Sequence, residues 1–215
     1  MNQYMREPIN ALTHLIGAIL SLFALIAMIV KVSLDNHSAL GITAVTIFGI
    51  SLILLYATSA TYHLVISSDS VIQFLQRLDH SMIFILIAGS YTPFCLIALQ
   101  GWSGWGLFFV IVAIAICGVT FKMAWFNCPR ILSTSIYIIM GWMAIFVFQP
   151  LLNSLSAAGL ELLVLGGVLY TIGGIIYAIK PKWMEFKSFG HHEIFHIFIL
   201  LGSLCHFLCI YFFVI

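Results

Sequence analysis

Two histidines four residues apart, His192 and His196 in Gly190-His191-His192-Glu193-Ile194-Phe195-His196, open the last long apolar segment of this chain. On a helix, positions i and i+4 share a face with Cβ atoms about 5–6 Å apart, so both rings can aim a nitrogen at one ion about 2.0–2.1 Å away. Two ligands seldom suffice. His63, in Ser59-Ala60-Thr61-Tyr62-His63 at the end of another apolar segment, supplies a third neutral imidazole. Such a histidine-rich set with one open position suits catalytic zinc better than a closed structural site. Imidazole ligation without thiolate also accommodates iron or manganese.

Asp79, in Arg77-Leu78-Asp79-His80-Ser81, is then either a fourth ligand or, as we prefer, the carboxylate that orients a metal-bound water and takes its proton. Its competing role is an N-cap at the start of a third helix, a position that aspartate favours. Ser59, one turn deeper than His63, can hydrogen-bond to the water or to a substrate carbonyl; small hydroxyl residues are also ordinary packing elements between membrane helices.

Other residues are weaker candidates. His192 to His196 also fits H-E-x-x-H, in which a metalloprotease uses the glutamate as general base. The pattern is short and the context is a membrane helix, so Glu193 is expected to complement the helix N-terminus or face water. His14 reads as packing, or as a hydrogen-bonding partner behind the site. His206 lies roughly 15 Å beyond His196 along the helix axis, so it, Cys205 and Cys209 are too distant to share that ion. His37 falls in an outer loop, and His80 and His191 flank the proposed residues without sharing their facing.

The elements that position these residues follow from composition. Apolar residues make up 63% of the 215 and charged residues 7%, and mean hydropathy is +1.16. Those values exclude an ordinary soluble domain and imply an all-α polytopic membrane protein. A spanning helix needs about 20 mostly apolar residues. Seven stretches qualify, near 10–30, 39–63, 80–99, 104–121, 131–148, 162–179 and 191–214, forming a single seven-helix domain over 1–215. The first is read as a retained span rather than a signal peptide. The connection from 64 to 78 is expected to hold only a short surface helix.

Lys and Arg set the orientation, because cytoplasmic loops carry an excess of both. With the N-terminus inside, seven of the eight fall on the inner side and only Lys31 outside. An inside N-terminus and outside C-terminus bring His63, Asp79, His192 and His196 to one depth near the cytoplasmic face. The net charge of +1 and the lack of a basic run argue against nucleic-acid binding. Five cysteines without a C-x-x-C pair are expected to form no disulfides. The last span has no Lys for a retinal Schiff base, and no span carries a charge ring or carbonyl-rich filter motif.

Several motifs together resemble the progestin and adipoQ receptor family, most closely its bacterial haemolysin III, or membrane-homeostasis, branch. They are Glu7 with Asn10, Thr13, His14 and Gly17; Ser59 and His63; Leu78-Asp79-His80-Ser81 leading to Gly89-Ser90-Tyr91-Thr92-Pro93-Phe94; and His192, His196 and His206-Phe207. The resemblance implies a seven-helix bundle with its N-terminus inside and a zinc held by His63, His192 and His196. It also implies contact of Asp79 with the zinc-bound water, with Ser59 beside it. Alkaline ceramidases in the wider superfamily suggest amide or ester hydrolysis of a membrane lipid entering from the inner leaflet. The alternatives are a non-catalytic sensor of membrane state with a structural zinc, and a haemolysin; no segment reads as a secreted amphipathic toxin.

Overall fold

A computed structural model describes residues 5–35, 38–99, 101–125, 128–186 and 189–215. Among them the chain is helical throughout apart from a single bridge between Phe186 and Phe189. Seven segments are long and apolar enough to cross a membrane: Pro8–Leu34, Ala39–Leu64, Asp69–Ala98, Gly101–Ala124, Arg130–Ser154, Ala157–Ile179 and His191–Phe213. We call them spans one to seven. His37 and Lys187 lie outside the described residues.

Local chemistry sets the span ends. Pro8 begins span one, where a missing N–H costs nothing because no helical carbonyl awaits it. The Ser156 hydroxyl accepts the Gly159 N–H and caps span six. Large apolar side chains such as Phe23, Ile26, Phe109 and Ile116 face outward, which suits surroundings of hydrocarbon rather than water. Phe48, Tyr56, Phe84 and Met140 fill the interior.

Span three departs from the expected layout. It starts at Asp69 rather than near 80, leaving only 65–68 to join it to span two. The stretch 69–78 is too polar for the hydrocarbon, but Gln73, Gln76 and Arg77 are good helix formers and simply extend the helix outward. Asp79 therefore sits in the third turn, and the N-cap position belongs to Ser68. A capping role for Asp79 is excluded by that geometry.

Two spans are interrupted. After Pro93, which has no N–H to donate, span three widens into a π-helical turn over Phe94–Ala98. Span five runs as α-helix from Arg130 to Gly141, as 3-10 helix over Met143–Val147, and again as α-helix from Phe148 to Ser154. The Tyr91 hydroxyl of span three bridges that break, accepting from Ala144 N–H at 2.9 Å and donating to Gly141 C=O at 2.6 Å. Spans one and two, two and three, and six and seven make the broadest contacts. Span three approaches span two so closely at Gly89 that a Cβ there would stand 2.1 Å from Ser51 Oγ.

Candidate metal centre

His63 closes span two while His192 and His196 open span seven, and the bundle brings these helix ends together. Each of the three histidines offers a ring nitrogen, and the three nitrogens lie within 4.8 Å of one another. Small side-chain rotations convert that spacing to the roughly 3.4 Å between ligands of a tetrahedral ion with 2.0–2.1 Å bonds. The His63 ring centroid is 5.0 Å from both His192 and His196, and those two are 4.9 Å apart.

Hydrogen bonding leaves the metal-facing nitrogens free. His63 is fully buried, with Nδ1 2.6 Å from Glu7 Oε2. A carboxylate can only accept at that contact, so Nδ1 carries the proton and Nε2 keeps its lone pair. That Nε2 is buried without a hydrogen-bond partner. His196 is arranged in the same way. The Thr13 hydroxyl uses its one proton on Asn10 C=O at 3.0 Å, so at its 3.3 Å contact with His196 Nδ1 it accepts. Carboxylate and hydroxyl partners that hold imidazoles in one tautomer typify histidines that bind metal. Buried rings with open lone pairs fit a divalent cation.

Glu7, Asn10 and Thr13 supply this support, and all three sit at successive i+3 positions where span one begins. Asn10 Nδ2 donates to Glu193 Oε1 at 3.0 Å and to Glu7 Oε2 at 3.3 Å, linking span one to span seven. Glu7 N–H donates to His63 C=O at 3.0 Å, linking it to span two. The hydrogen bond from His63, helped by the neighbouring Arg6 charge, holds the Glu7 carboxyl down at about 2. Residue-type reasoning assigned these three no supporting role; the available signal was a polar stripe at i, i+3, i+6 on an otherwise apolar helix.

Glu193 is turned away from general-base duty. Its Oε2 accepts Gly190 N–H at 2.8 Å, complementing the start of span seven. His14 stacks on His196 with centroids 3.6 Å apart and planes 9° apart, and meets Tyr56 edge-on at 5.0 Å. It backs the site without joining the ligand group. His191 faces Glu185 across 3.5 Å.

Two members of the triad, His192 and His196, line a cavity of about 370 Å³ walled mainly by apolar side chains. Asp79, Ser59, His192 and His196 line one part of it, and Asp79 is hydrogen-bonded to Ser59. His80 lines the same cavity and bonds Tyr177 Oη at 3.1 Å, contrary to the expectation that it faces elsewhere. Span three runs through the bundle interior, so the neighbouring Asp79 and His80 both find inward positions despite their offset around the helix. His206 also lines the cavity, ten residues deeper than His196.

A family model described as haemolysin-III related matches residues 2–207. The chain is 42% identical over 207 residues to a hemolysin-3 homolog of Bacillus subtilis strain 168, covering 96% of this chain and 93% of that one. It is also 42% identical over 216 residues to hemolysin-3 of Bacillus cereus, covering 100% and 95%. A more distant likeness, 24% over 225 residues, joins it to an adiponectin receptor protein of Drosophila melanogaster, covering 94% and 49%. The chain thus belongs to the haemolysin-III-related family, the bacterial branch of the progestin and adipoQ receptor family.

Proposed function

We propose that this protein is a zinc-dependent membrane hydrolase of ceramidase type, cleaving an amide or ester bond of a membrane lipid in lipid homeostasis. The observation that carries the reading is a three-histidine cluster, His63, His192 and His196, two of whose members share the wall of one largely apolar cavity with the Asp79 carboxylate. The three imidazoles would hold the ion, and a zinc bound there would supply carbonyl polarisation and a water pKa lowered towards about 7.

The protein's own residues supply the rest. Apolar walls accept an acyl chain and exclude bulk water. Asp79 takes a proton from the attacking water and returns it to the leaving amine or alcohol as the acyl–heteroatom bond breaks, giving a carboxylic acid and the freed headgroup. Ser59 donates its one hydroxyl proton to the Asp79 carboxylate and holds it in place, and its oxygen can accept from the attacking water. Glu7 and Thr13 fix the ligand tautomers.

The clustering of Lys and Arg supports an N-terminus in the cytoplasm and a site near the cytoplasmic face of the inner membrane. Substrate enters from the adjoining leaflet.

A regulatory reading has its own support. Glu7, His63 and the His192/His196 pair tie spans one, two and seven together at one end, so an ion there can clamp the bundle in one state and serve a membrane sensor. Asp79→Asn separates the two readings. The hydrolase predicts that the variant keeps its metal by elemental analysis and loses hydrolysis of N-acyl and O-acyl lipids. Metal-loaded wild-type protein that cleaves no acyl-amide or acyl-ester lipid overturns the hydrolase and leaves the sensor.

A further inference from the structure

The inner part of the cavity carries polarity that the hydrolytic chemistry does not use. His206 is 8% exposed, lines the cavity, and has an Nδ1 that is buried without a hydrogen-bond partner. Its ring stacks on Tyr170 with centroids 5.3 Å apart and planes 22° apart. Beside it lies a closed set of hydroxyls: Ser203 Oγ is 2.8 Å from Tyr170 Oη and 2.6 Å from Tyr56 Oη. Those three groups, with Ile199 C=O accepting from the Tyr56 hydroxyl at 3.3 Å, satisfy one another. The imidazole does not share their bonds, although an unpaired polar atom in an apolar interior is costly.

From these observations we infer that His206 forms a second, polar subsite that recognises a hydroxyl carried partway along the acyl chain of the bound lipid. The inference rests on the reading that a lipid chain fills the cavity. Ten helical residues separate His206 from His196, roughly 15 Å along the axis, or about twelve bonds of an extended hydrocarbon chain. A chain anchored at the triad therefore brings a hydroxyl about twelve carbons from its head to the imidazole. A hydroxyl both donates and accepts, so it can pair with an imidazole nitrogen in either tautomer. Within hydrocarbon that hydroxyl has no water to give up, so the bond forms without the usual exchange against solvent. An unsubstituted chain leaves the nitrogen unpaired. Selection is thus by position of the hydroxyl, not by chain length alone.

The test is binding, not turnover. Octadecanoic acid and its monohydroxy isomers, substituted near the head, about twelve carbons in or at the tail, are competed against a fluorescent fatty acid on the full-length protein in nanodiscs. The mid-chain isomer is expected to bind about tenfold more tightly than the unsubstituted acid or the other isomers. His206→Phe, which preserves the stacking on Tyr170, should erase that preference while leaving metal content unchanged. His206→Gln, which keeps a polar group, should restore part of it. Equal binding of all isomers, failure of every acid to displace the probe, or a mid-chain preference that survives in His206→Phe each overturns the subsite. Positional preference without hydrolysis of any acyl lipid would leave the subsite standing and remove the hydrolase.

Discussion

Glu7→Gln isolates the support given to a single ligand. The substitution keeps size and an acceptor oxygen for His63 Nδ1–H but removes the charge from a 2.6 Å contact. Charge-assisted hydrogen bonds are about twice as strong as neutral ones, and loss of an outer-shell partner typically lowers metal affinity about 10–100-fold, equivalent to about 1.4–2.7 kcal/mol. The lower half of that range is expected, because Glu7 is 38% exposed at its side chain and water screens part of its field. The backbone bond from Glu7 N–H to His63 C=O survives the change, so the helix ends stay joined. Zinc affinity measured by competition with a chromogenic chelator should fall about tenfold. Glu161→Gln, a change at an exposed position on span six, serves as the control and should have no effect. A Glu7→Gln protein that binds zinc as tightly as wild type would refute the argument that the charge of this carboxylate strengthens the ligand.

Four further outcomes follow from the coordinates. His192→Ala should purify with well under one equivalent of metal, read by elemental analysis, while remaining helical by circular dichroism. Tyr91→Phe removes the partner of the part-buried Ala144 N–H and Gly141 C=O; a loss of about 1–3 kcal/mol of stability per unpaired group should appear as a lower thermal midpoint in detergent. Gly89→Ala drives a methyl into Ser51 and should cost about 1–3 kcal/mol by overpacking, measured in the same assay. The Glu7 carboxyl lies at about 2 in place of 4.5. Its contribution to the metal-free fold is therefore complete above pH about 4.5 and disappears as pH falls towards about 2. Wild type and Glu7→Gln should differ in stability by a constant amount at higher pH and converge below 4.5.

The reach of sequence reasoning differs between parts of the molecule for a physical reason. A span must be apolar along its whole length, so seven of them stand out, and a histidine pair at i, i+4 is legible because the helix repeat alone puts both rings on one face. The start of span three was not legible, since outside the hydrocarbon no rule requires a helix to stop; polar helix formers such as Gln73 and Gln76 carry it on to Asp69. The consequence reaches the chemistry, because Asp79 then faces the cavity from mid-helix with its carboxylate free of any capping duty.

Glu7, Asn10 and Thr13 mark the other limit. Each is an ordinary polar residue where a helix leaves the interface, and nothing in its type distinguishes a bond to water from a bond to a buried imidazole. What distinguishes it is the packing of span one against spans two and seven, a property of three helices together. Cost supplies the logic that connects the three parts. His63 is fully buried with one nitrogen unpaired, and the fold devotes a carboxylate to its other nitrogen instead of using that carboxylate on the unpaired one. A protein that needed only a packed helix junction could place an apolar residue there with fewer polar atoms to satisfy. The arrangement makes physical sense when an ion completes it, and the same reasoning applied to His206 leads to a chain hydroxyl in place of a metal.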